Sequence, residues 1–368
     1  MKKVILGIIA IIVIVGVVVL ARGADNGPSI TSGELIKIGA ILPMTGDFAF
    51  AGEAINKGAL LAIDEAKAQG INVQYISEDD RSTAVGSTNA ANKLVRTDKI
   101  HGAITATVQE VKPVAPIFAS AGVPLVATWD SNDYIKTAGK DIFTIGFSTE
   151  GAGQKMAVYA KNNLKLSKVA VVAQEDEWSS LIASAFEKKF KELGGMVVVS
   201  EKVQPTQKDF RTTLAKIKAA GAEGIYFPFL PNTIAPFAKQ SRELGITGIL
   251  MTGDSISPDE VASAGNAAEN MYFTNLYAKD TEDLEAKYKA KFGEGGDMTF
   301  VSFGYDGVKT VLEAVKISRK DGIPLSDAMR KVNISGLDRK INFSNKQYAE
   351  KLEYLYKVEK GEFVEVQR

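Results

Sequence analysis

The stretch GAILPMTGDFAFAGE, residues 39–53, runs from an apolar strand through a glycine-containing loop into a helix. A dinucleotide-binding loop at such a junction needs the pattern G-x-G-x-x-G, so that backbone amides can reach the pyrophosphate. Here the glycines stand at positions 39, 46 and 52, which is too wide a spacing, and the lysine of a P-loop is absent. The stretch therefore predicts a strand–loop–helix unit that does not bind a nucleotide phosphate.

Short apolar runs alternate with amphipathic segments from Leu35 onward, which is the pattern of a parallel sheet covered by helices. The strand candidates form two series, residues 36–42, 73–78, 101–106 and 124–128, and then, after IFTIGF at 142–147, residues 168–173, 196–203, 224–229 and 248–253. The repeated plan predicts an α/β fold made of two doubly wound, Rossmann-like lobes in tandem.

The C-terminal part departs from this plan. Helices near 281–292 and 299–319 are followed by a hairpin that turns at Lys360 and Gly361. Such a mixed segment must pack on lobes that already exist, and its crossings between them would form a hinge at which the lobes close. We expect the first lobe to contain residues 35–147 plus 278–332, and the second lobe to contain residues 148–277 plus 333–368.

The N-terminus carries Lys2 and Lys3 and then an unbroken apolar run over residues 4–21. As a helix this run would be about 27 Å long, enough to cross a bilayer. Residues 1–22 are therefore predicted to be a membrane anchor, with a cleavable signal peptide as the alternative. The lysines favour an orientation that sends the rest of the chain out of the cytoplasm. Residues 23–34, rich in Gly, Ser, Asn and Pro, read as a linker.

The composition excludes several function classes. The chain has 368 residues with 44 basic and 44 acidic side chains, so no net field suggests a nucleic-acid partner. It has no cysteine and one histidine, which excludes disulfides, cysteine nucleophiles and metal sites built on thiolates or paired histidines. We expect a structural role for that histidine, His101, and predict no catalytic residue, no metal and no cofactor.

A family resemblance rests on several motifs in order. The segment ILPMTGDFAFAGEAINKGALLAIDEA, residues 41–66, resembles the opening of the branched-chain amino-acid-binding proteins of ABC importers. Further matching motifs are SEDD at 77–80, AGVP at 121–124, EDEW at 175–178, KDF at 208–210 and FGYD at 303–306. This resemblance implies the type I periplasmic-binding fold, in which the two lobes trap a small ligand and perform no chemistry.

In that family the first lobe clamps the ligand carboxylate with hydroxyls and backbone amides. The resemblance places Thr105, Ala106 and Thr107 where the family has a Ser-Ser pair, and Ser131 at a second hydroxyl position. Trp129 replaces a small residue beside it. The threonines have an alternative interpretation as helix caps.

The second lobe of the family pairs the ligand ammonium with an acidic residue, and Asp254 falls at that position. Trp178 and Leu230 fall at or near tyrosine positions of the family. The alternatives are that Asp254 caps the helix near Pro258 and that Trp178 is an interlobe packing residue. Phe48 and Phe50, in the opening stretch, either form an apolar lip of the cleft or pack over a helix start.

The resemblance implies an extracytoplasmic solute-binding protein that captures an amino acid or related small amide and delivers it to ABC importer permease subunits. A sensor domain of the same fold, acting through a signalling partner, is the alternative. An enzyme with a nucleotide cofactor is disfavoured by the missing glycine fingerprint. The ligand itself stays open, because Asp130 and Asp254 favour positive charge whereas Phe50, Trp129, Trp178 and Leu230 favour an apolar side chain.

Overall fold

A computed structural model describes residues 30–31, 33–46, 48–275, 281–293, 295–337, 339–344, 346–351 and 354–367. The predicted anchor, residues 1–22, and most of the predicted linker, residues 23–34, lie outside these described residues. Within them no helix combines the length and the apolar character needed to cross a membrane.

The first sheet has five parallel strands in the order β2-β1-β3-β4-β6. Its strands are β1 (Ile36–Leu42), β2 (Val73–Asp79), β3 (Gly102–Thr105), β4 (Leu125–Ala127) and β6 (Ile142–Thr144). The central strands are apolar on both faces because helices cover both sides, as is usual in parallel sheets. Two buried clusters lie on opposite faces of the sheet, so the lobe is doubly wound as predicted.

The helices of this lobe are α1 (Ala49–Ala68), α2 (Ala84–Asn92), α3 (Val108–Ala121), α9 (Glu282–Phe292), α10 (Met298–Asp321) and α11 (Leu325–Met329). A π-helical turn, Lys93–Asp98, extends α2. Helices α1 and α10 approach so closely that a Cβ atom on Gly58 would overlap the carbonyl of Val301, and one on Gly304 that of Ile55. These two glycines therefore let the late helix pack onto the first lobe.

The second sheet has seven strands in the order β17-β16-β12-β11-β10-β8-β9. They are β8 (Lys168–Gln174), β9 (Met196–Val203), β10 (Gly224–Tyr226), β11 (Ile249–Thr252), β12 (Tyr272–Asn275), β16 (Tyr354–Glu359) and β17 (Glu362–Gln367). The covering helices are α4 (Thr149–Asn162), α5 (Glu177–Glu192), α6 (Arg211–Ala219), α7 (Ile234–Glu243) and α8 (Pro258–Ala264), with a 3-10 turn at Gly265–Ala268. Strands β8 to β12 pair in parallel with one another.

The C-terminal hairpin joins this second sheet, since β16 pairs antiparallel with β12 and β17 with β16. Its turn lies at Lys360 and Gly361, which have positive φ angles of 53° and 82°. A two-residue turn with both φ values positive matches the twist of the flanking strands. The hairpin and its turn position were predicted from the sequence.

The residues just before this hairpin, 333–351, pack on the first lobe. Strands β13 (Asn333–Gly336), β14 (Arg339–Asn342) and β15 (Glu350–Lys351) form a small antiparallel sheet. Ile341 and Phe343 belong to the core of the first lobe, whereas the sequence analysis placed 333–368 in the second. These residues stay with the first lobe because Arg339 forms a buried ion pair with Asp306 in α10. We propose that the lobe boundary lies between β15 and β16.

The hinge contains a short parallel pair, β5 (Asp130–Ser131) and β7 (Phe147–Ser148). A 3-10 turn, Asp133–Lys136, follows β5. The chain runs from β7 directly into α4, whose first turn is capped by the Ser148 hydroxyl, which accepts a bond from Gly151 N–H (3.0 Å). One crossing between the lobes is therefore fixed by strand pairing and by a helix cap.

Candidate functional site

The carboxyl edges of the two parallel sheets lie near each other. Helix α3 starts at the carboxyl edge of the first sheet, after β3, and α5 starts at that of the second, after β8. Lys112 near the start of α3 forms an ion pair with Glu177 in the first turn of α5. We call the space between these edges the cleft. Open α/β sheets bind ligands outside the carboxyl ends of their strands, so the cleft is the candidate site.

The loop after β1 is held by the chain's own carboxylate. Asp79, at the end of β2, accepts bonds at Oδ1 from Met44 N–H and Thr45 N–H (3.1 Å each) and from Arg81 N–H (2.8 Å). The Thr45 hydroxyl donates to Oδ2 (2.7 Å). Although burial opposes it, these bonds lower the pKa of Asp79. The backbone amides of this loop are therefore already paired with an anion.

The widely spaced glycines of this loop have packing roles. Gly46 has φ of +90°, and a Cβ there would come within 2.8 Å of the Ser82 hydroxyl. A Cβ on Gly52 would overlap the carbonyl of Pro43, where α1 turns back over the loop. Both positions therefore require glycine for the local fold.

A second internal carboxylate occupies the start of α3. Glu110 Oε2 accepts bonds from the Thr105 hydroxyl (2.9 Å) and from Ala106 N–H and Thr107 N–H (3.0 Å each). In return, Glu110 N–H donates to the Thr107 hydroxyl (3.4 Å), which completes a capping box. The three residues expected to clamp a ligand carboxylate thus hold Glu110, and Thr107 has the capping role given as the alternative.

Glu110 faces a further acidic side chain. Asp80 is 0% exposed and Glu110 is 8% exposed, and their carboxyl groups interact electrostatically. Burial, the adjacent Asp80 and the more distant Asp130 raise the pKa of Glu110 to about 8. Burial and the charge of Asp79 raise the pKa of Asp80 to about 6, although the hydrogen bond that Asp80 accepts from Ser82 N–H lowers it in part. The two carboxyl groups therefore share a proton near neutral pH.

Four aromatic rings form a patch on the first-lobe side of the cleft. Trp129 makes edge contacts with Phe48 (6.0 Å between centroids) and Phe300 (4.8 Å), and Phe50 contacts Phe300 at 5.6 Å. Phe48 and Phe50 are 42% and 62% exposed. Phe50 therefore packs at the start of α1 and still presents apolar surface, and its place at a lip of the cleft stays a prediction. Ser131 lies buried in the hinge strand β5.

The predicted residues of the second lobe lie at the carboxyl ends of β8, β10 and β11. Trp178 is half-buried, and its indole lies over Gly253, where a Cβ would come within 3.0 Å of the ring. Leu230 is half-buried, and its N–H donates to Gln174 Oε1 (2.6 Å). Asp254 is also half-buried and directly follows Gly253. The cap of α8 is Ser257, so Asp254 does not cap that helix.

The structure thus gathers the predicted residues at the two facing edges, with Ser131 in the hinge. Sequence reasoning missed Asp80, Glu110 and Phe300 as residues of the cleft. Only Glu110 had a readable signal, because Thr107-x-x-Glu110 before an apolar run is a capping-box pattern. Among the described residues, no group of three or more His, Cys, Asp or Glu side chains is arranged to hold a metal ion.

Two doubly wound lobes with facing carboxyl edges, joined by several crossings, define a two-lobed binding protein of the type I periplasmic-binding fold. A sequence profile of the family described as periplasmic binding protein matches residues 35–362, and the chain belongs to that family. Membership implies an extracytoplasmic location and a solute-binding fold. The resemblance read from the sequence is confirmed.

Individual relatives agree with this assignment. A Leu/Ile/Val-binding protein homolog 3 of Brucella melitensis is 31% identical over 263 residues, covering 68% of this chain and 70% of the relative. A Leu/Ile/Val-binding protein homolog 2 of Brucella abortus is 28% identical and covers 86% of each chain. The crystal structure of the leucine-binding protein LivK of Thermotoga maritima matches with a TM-score of 0.74 and 26% identity, over 90% of this chain and 97% of that one.

Proposed function

We propose that this protein is the solute-binding component of an ABC importer and that it captures an amino acid or a related small amide between its two lobes. The observation that carries the proposal is the pairing of the two carboxyl edges, bridged by Lys112 and Glu177. Each edge contributes both polar and aromatic side chains to the cleft. Small-ligand sites are mostly apolar, with a few polar groups that fix orientation.

The second lobe supplies a matching set of groups for an amino-acid-like ligand. Asp254 gives a carboxylate for the ligand ammonium, and Trp178 and Leu230 give apolar surface for its body. The rings of Phe50 and Trp129 oppose them from the first lobe, and Ser131 lies at the hinge side. A buried ammonium needs such a partner, because an unpaired charge in a closed site costs several kcal/mol.

The proposed location and partner follow from the family and from the N-terminal sequence. Residues 1–22 act as a membrane anchor or as a signal peptide, and 23–34 as the tether of an extracytoplasmic receptor. The bound ligand then passes to the permease subunits of the importer. Fractionation of cells that express the chain with and without residues 1–22 tests the anchor, since loss of membrane association is expected only on truncation.

Identification of the bound molecule tests the ligand class. The full-length protein is purified in mild detergent and denatured, and the released small molecules are identified by mass spectrometry. We expect one amino-acid-like molecule per chain, and calorimetry with that compound should give a stoichiometry of one. Absence of any released molecule, together with no binding across the common amino acids and their amides, would overturn the proposal.

A further inference from the structure

Two sets of backbone amides at the carboxyl edge of the first sheet are occupied by carboxyl groups of the chain itself. Asp79 fills the loop after β1 and Glu110 fills the start of α3, through the contacts given above. Helix N-termini and loop amides are the places where a ligand carboxylate would ordinarily be held. In this protein a ligand carboxylate could reach neither set without displacing an internal one.

Displacement of Glu110 is strongly opposed by its surroundings. Its Oε2 accepts three bonds, and its side chain is 8% exposed with the fully buried Asp80 beside it. Asp80 Oδ2 accepts no hydrogen bond from the described residues. A ligand carboxylate would therefore bring a further negative charge next to Asp80, Glu110 and Asp130, and would leave Glu110 buried without its donors.

We propose that Glu110 is a specificity-determining residue that prevents a ligand carboxylate from binding on the first-lobe side of the cleft. The ligand then presents an amide or amine nitrogen on that side. The acidic groups there, Asp80, Glu110 and Asp130, favour a neutral or positively charged group over an anion. The exposed rings of Phe48 and Phe50 then contact an apolar part of the same ligand. This inference rests on the proposed solute-binding function and narrows its substrate class to small amides and amines.

Matched ligand pairs provide the test. L-leucine is compared with L-leucinamide, and L-phenylalanine with L-phenylalaninamide, by calorimetry on the full-length protein. The members of a pair share the side chain and the ammonium and differ only in carboxylate against carboxamide. We expect the amide of at least one pair to bind about tenfold more tightly than its acid, or better, which corresponds to about 1.4 kcal/mol.

Two variants separate the specificity role from a structural one. Glu110→Ser leaves the amides of Ala106 and Thr107 open, so the preference should shift towards the acid of each pair by about tenfold or more. Glu110→Gln keeps an acceptor oxygen for these amides and removes the charge, so it should reduce the preference for the amide while leaving the circular dichroism spectrum unchanged. If Glu110→Ser fails to fold, Glu110→Gln alone decides.

The outcomes distinguish failure of the inference from failure of the proposed function. If the wild-type protein binds the acids more tightly and Glu110→Gln leaves the ratio unchanged, the inference is overturned while the solute-binding function stands. If neither member of either pair binds, the molecule released on denaturation decides: an amide or amine without a carboxylate supports the inference, and an amino acid or other carboxylic acid overturns it. If nothing is released and nothing binds, the proposed function fails and the inference with it.

Discussion

Lys112 of the first lobe and Glu177 of the second form an ion pair across the cleft. The two side chains are 38% and 59% exposed, so water screens their attraction. A pair of this kind contributes up to about 1 kcal/mol. Because its partners belong to different lobes, that small contribution acts on the equilibrium between open and closed lobes and less on the stability of either lobe.

Lys112→Met is therefore expected to weaken ligand binding by up to about fivefold, within the range for an exposed ion pair. The loss should shrink at high salt, where the attraction is screened. The matched control is Lys189→Met, which removes a pair with Glu192 that lies entirely within α5. Titration calorimetry at two salt concentrations measures both variants, and an equal effect from the control would show that no interlobe contact is involved.

A buried ion pair beneath the hinge predicts a much larger effect on stability. Arg339 Nε lies 3.2 Å from Asp306 Oδ2, both side chains are fully buried, and Arg339 also donates to the carbonyl of Ile145 (3.2 Å). Removal of one partner leaves an uncompensated buried charge. Arg339→Met should lower the free energy of unfolding by about 3–5 kcal/mol.

Urea unfolding followed by circular dichroism measures that loss. Lys331→Met is a suitable control because its pair with Asp321 is exposed, and it should cost less than about 1 kcal/mol. A similar, small loss of unfolding free energy in both variants would mean that the Arg339–Asp306 pair does not hold the β13–β15 segment on the first lobe.

Asp254 gives a prediction about charge pairing. Asp254→Asn should weaken binding of a ligand with an α-ammonium by about 2 kcal/mol or more, because the ammonium loses its carboxylate inside the closed cleft. Asp259→Asn, in the exposed first turn of α8, is the control and should leave affinity unchanged. Unchanged affinity in Asp254→Asn, measured by calorimetry, would remove Asp254 from the site.

The only two tryptophans of the chain, Trp129 and Trp178, lie on opposite sides of the cleft and are both half-buried. Closure on a ligand should exclude water from at least one of them and shift the intrinsic fluorescence, with saturation at one ligand per chain. Trp178→Phe should remove most of the shift and weaken binding by about 1–3 kcal/mol. If a ligand binds and this variant changes neither quantity, the second-lobe wall of the cleft lies elsewhere.

The sequence predicted the repeated elements and failed where long-range pairing decides. Apolar runs and helix-ending glycines located β1, β9 and the turn at Lys360 because their signals are local. The assignment of Arg339 to a lobe depends on its ion pair with Asp306, which lies in a different element. No pattern in the sequence near either residue predicts that pairing. The resemblance likewise suggested that Thr107 binds a ligand carboxylate. In the structure its backbone N–H donates instead to the side chain of Glu110, three residues later.

The pH dependence of stability provides the last prediction. The pKa of Glu110 is about 8 in the folded protein, above the ordinary value of 4.5, and that of Asp80 is about 6, above 3.8. The folded state therefore binds protons more tightly than the unfolded state between these values. The contribution of the pair is fully present below the unfolded pKa values and is lost as the pH rises towards 8, by at most about 1.4 kcal/mol per pH unit for each proton.

Glu110→Gln should flatten this dependence, because the glutamine side chain does not titrate. Urea unfolding of wild type and variant at pH 5 and pH 8 measures it, and the variant should gain stability relative to wild type as the pH rises. Glu177→Gln, which alters an exposed carboxylate of the cleft, should keep the wild-type dependence on pH. A parallel pH dependence in wild type and Glu110→Gln would show that Glu110 is ionised throughout.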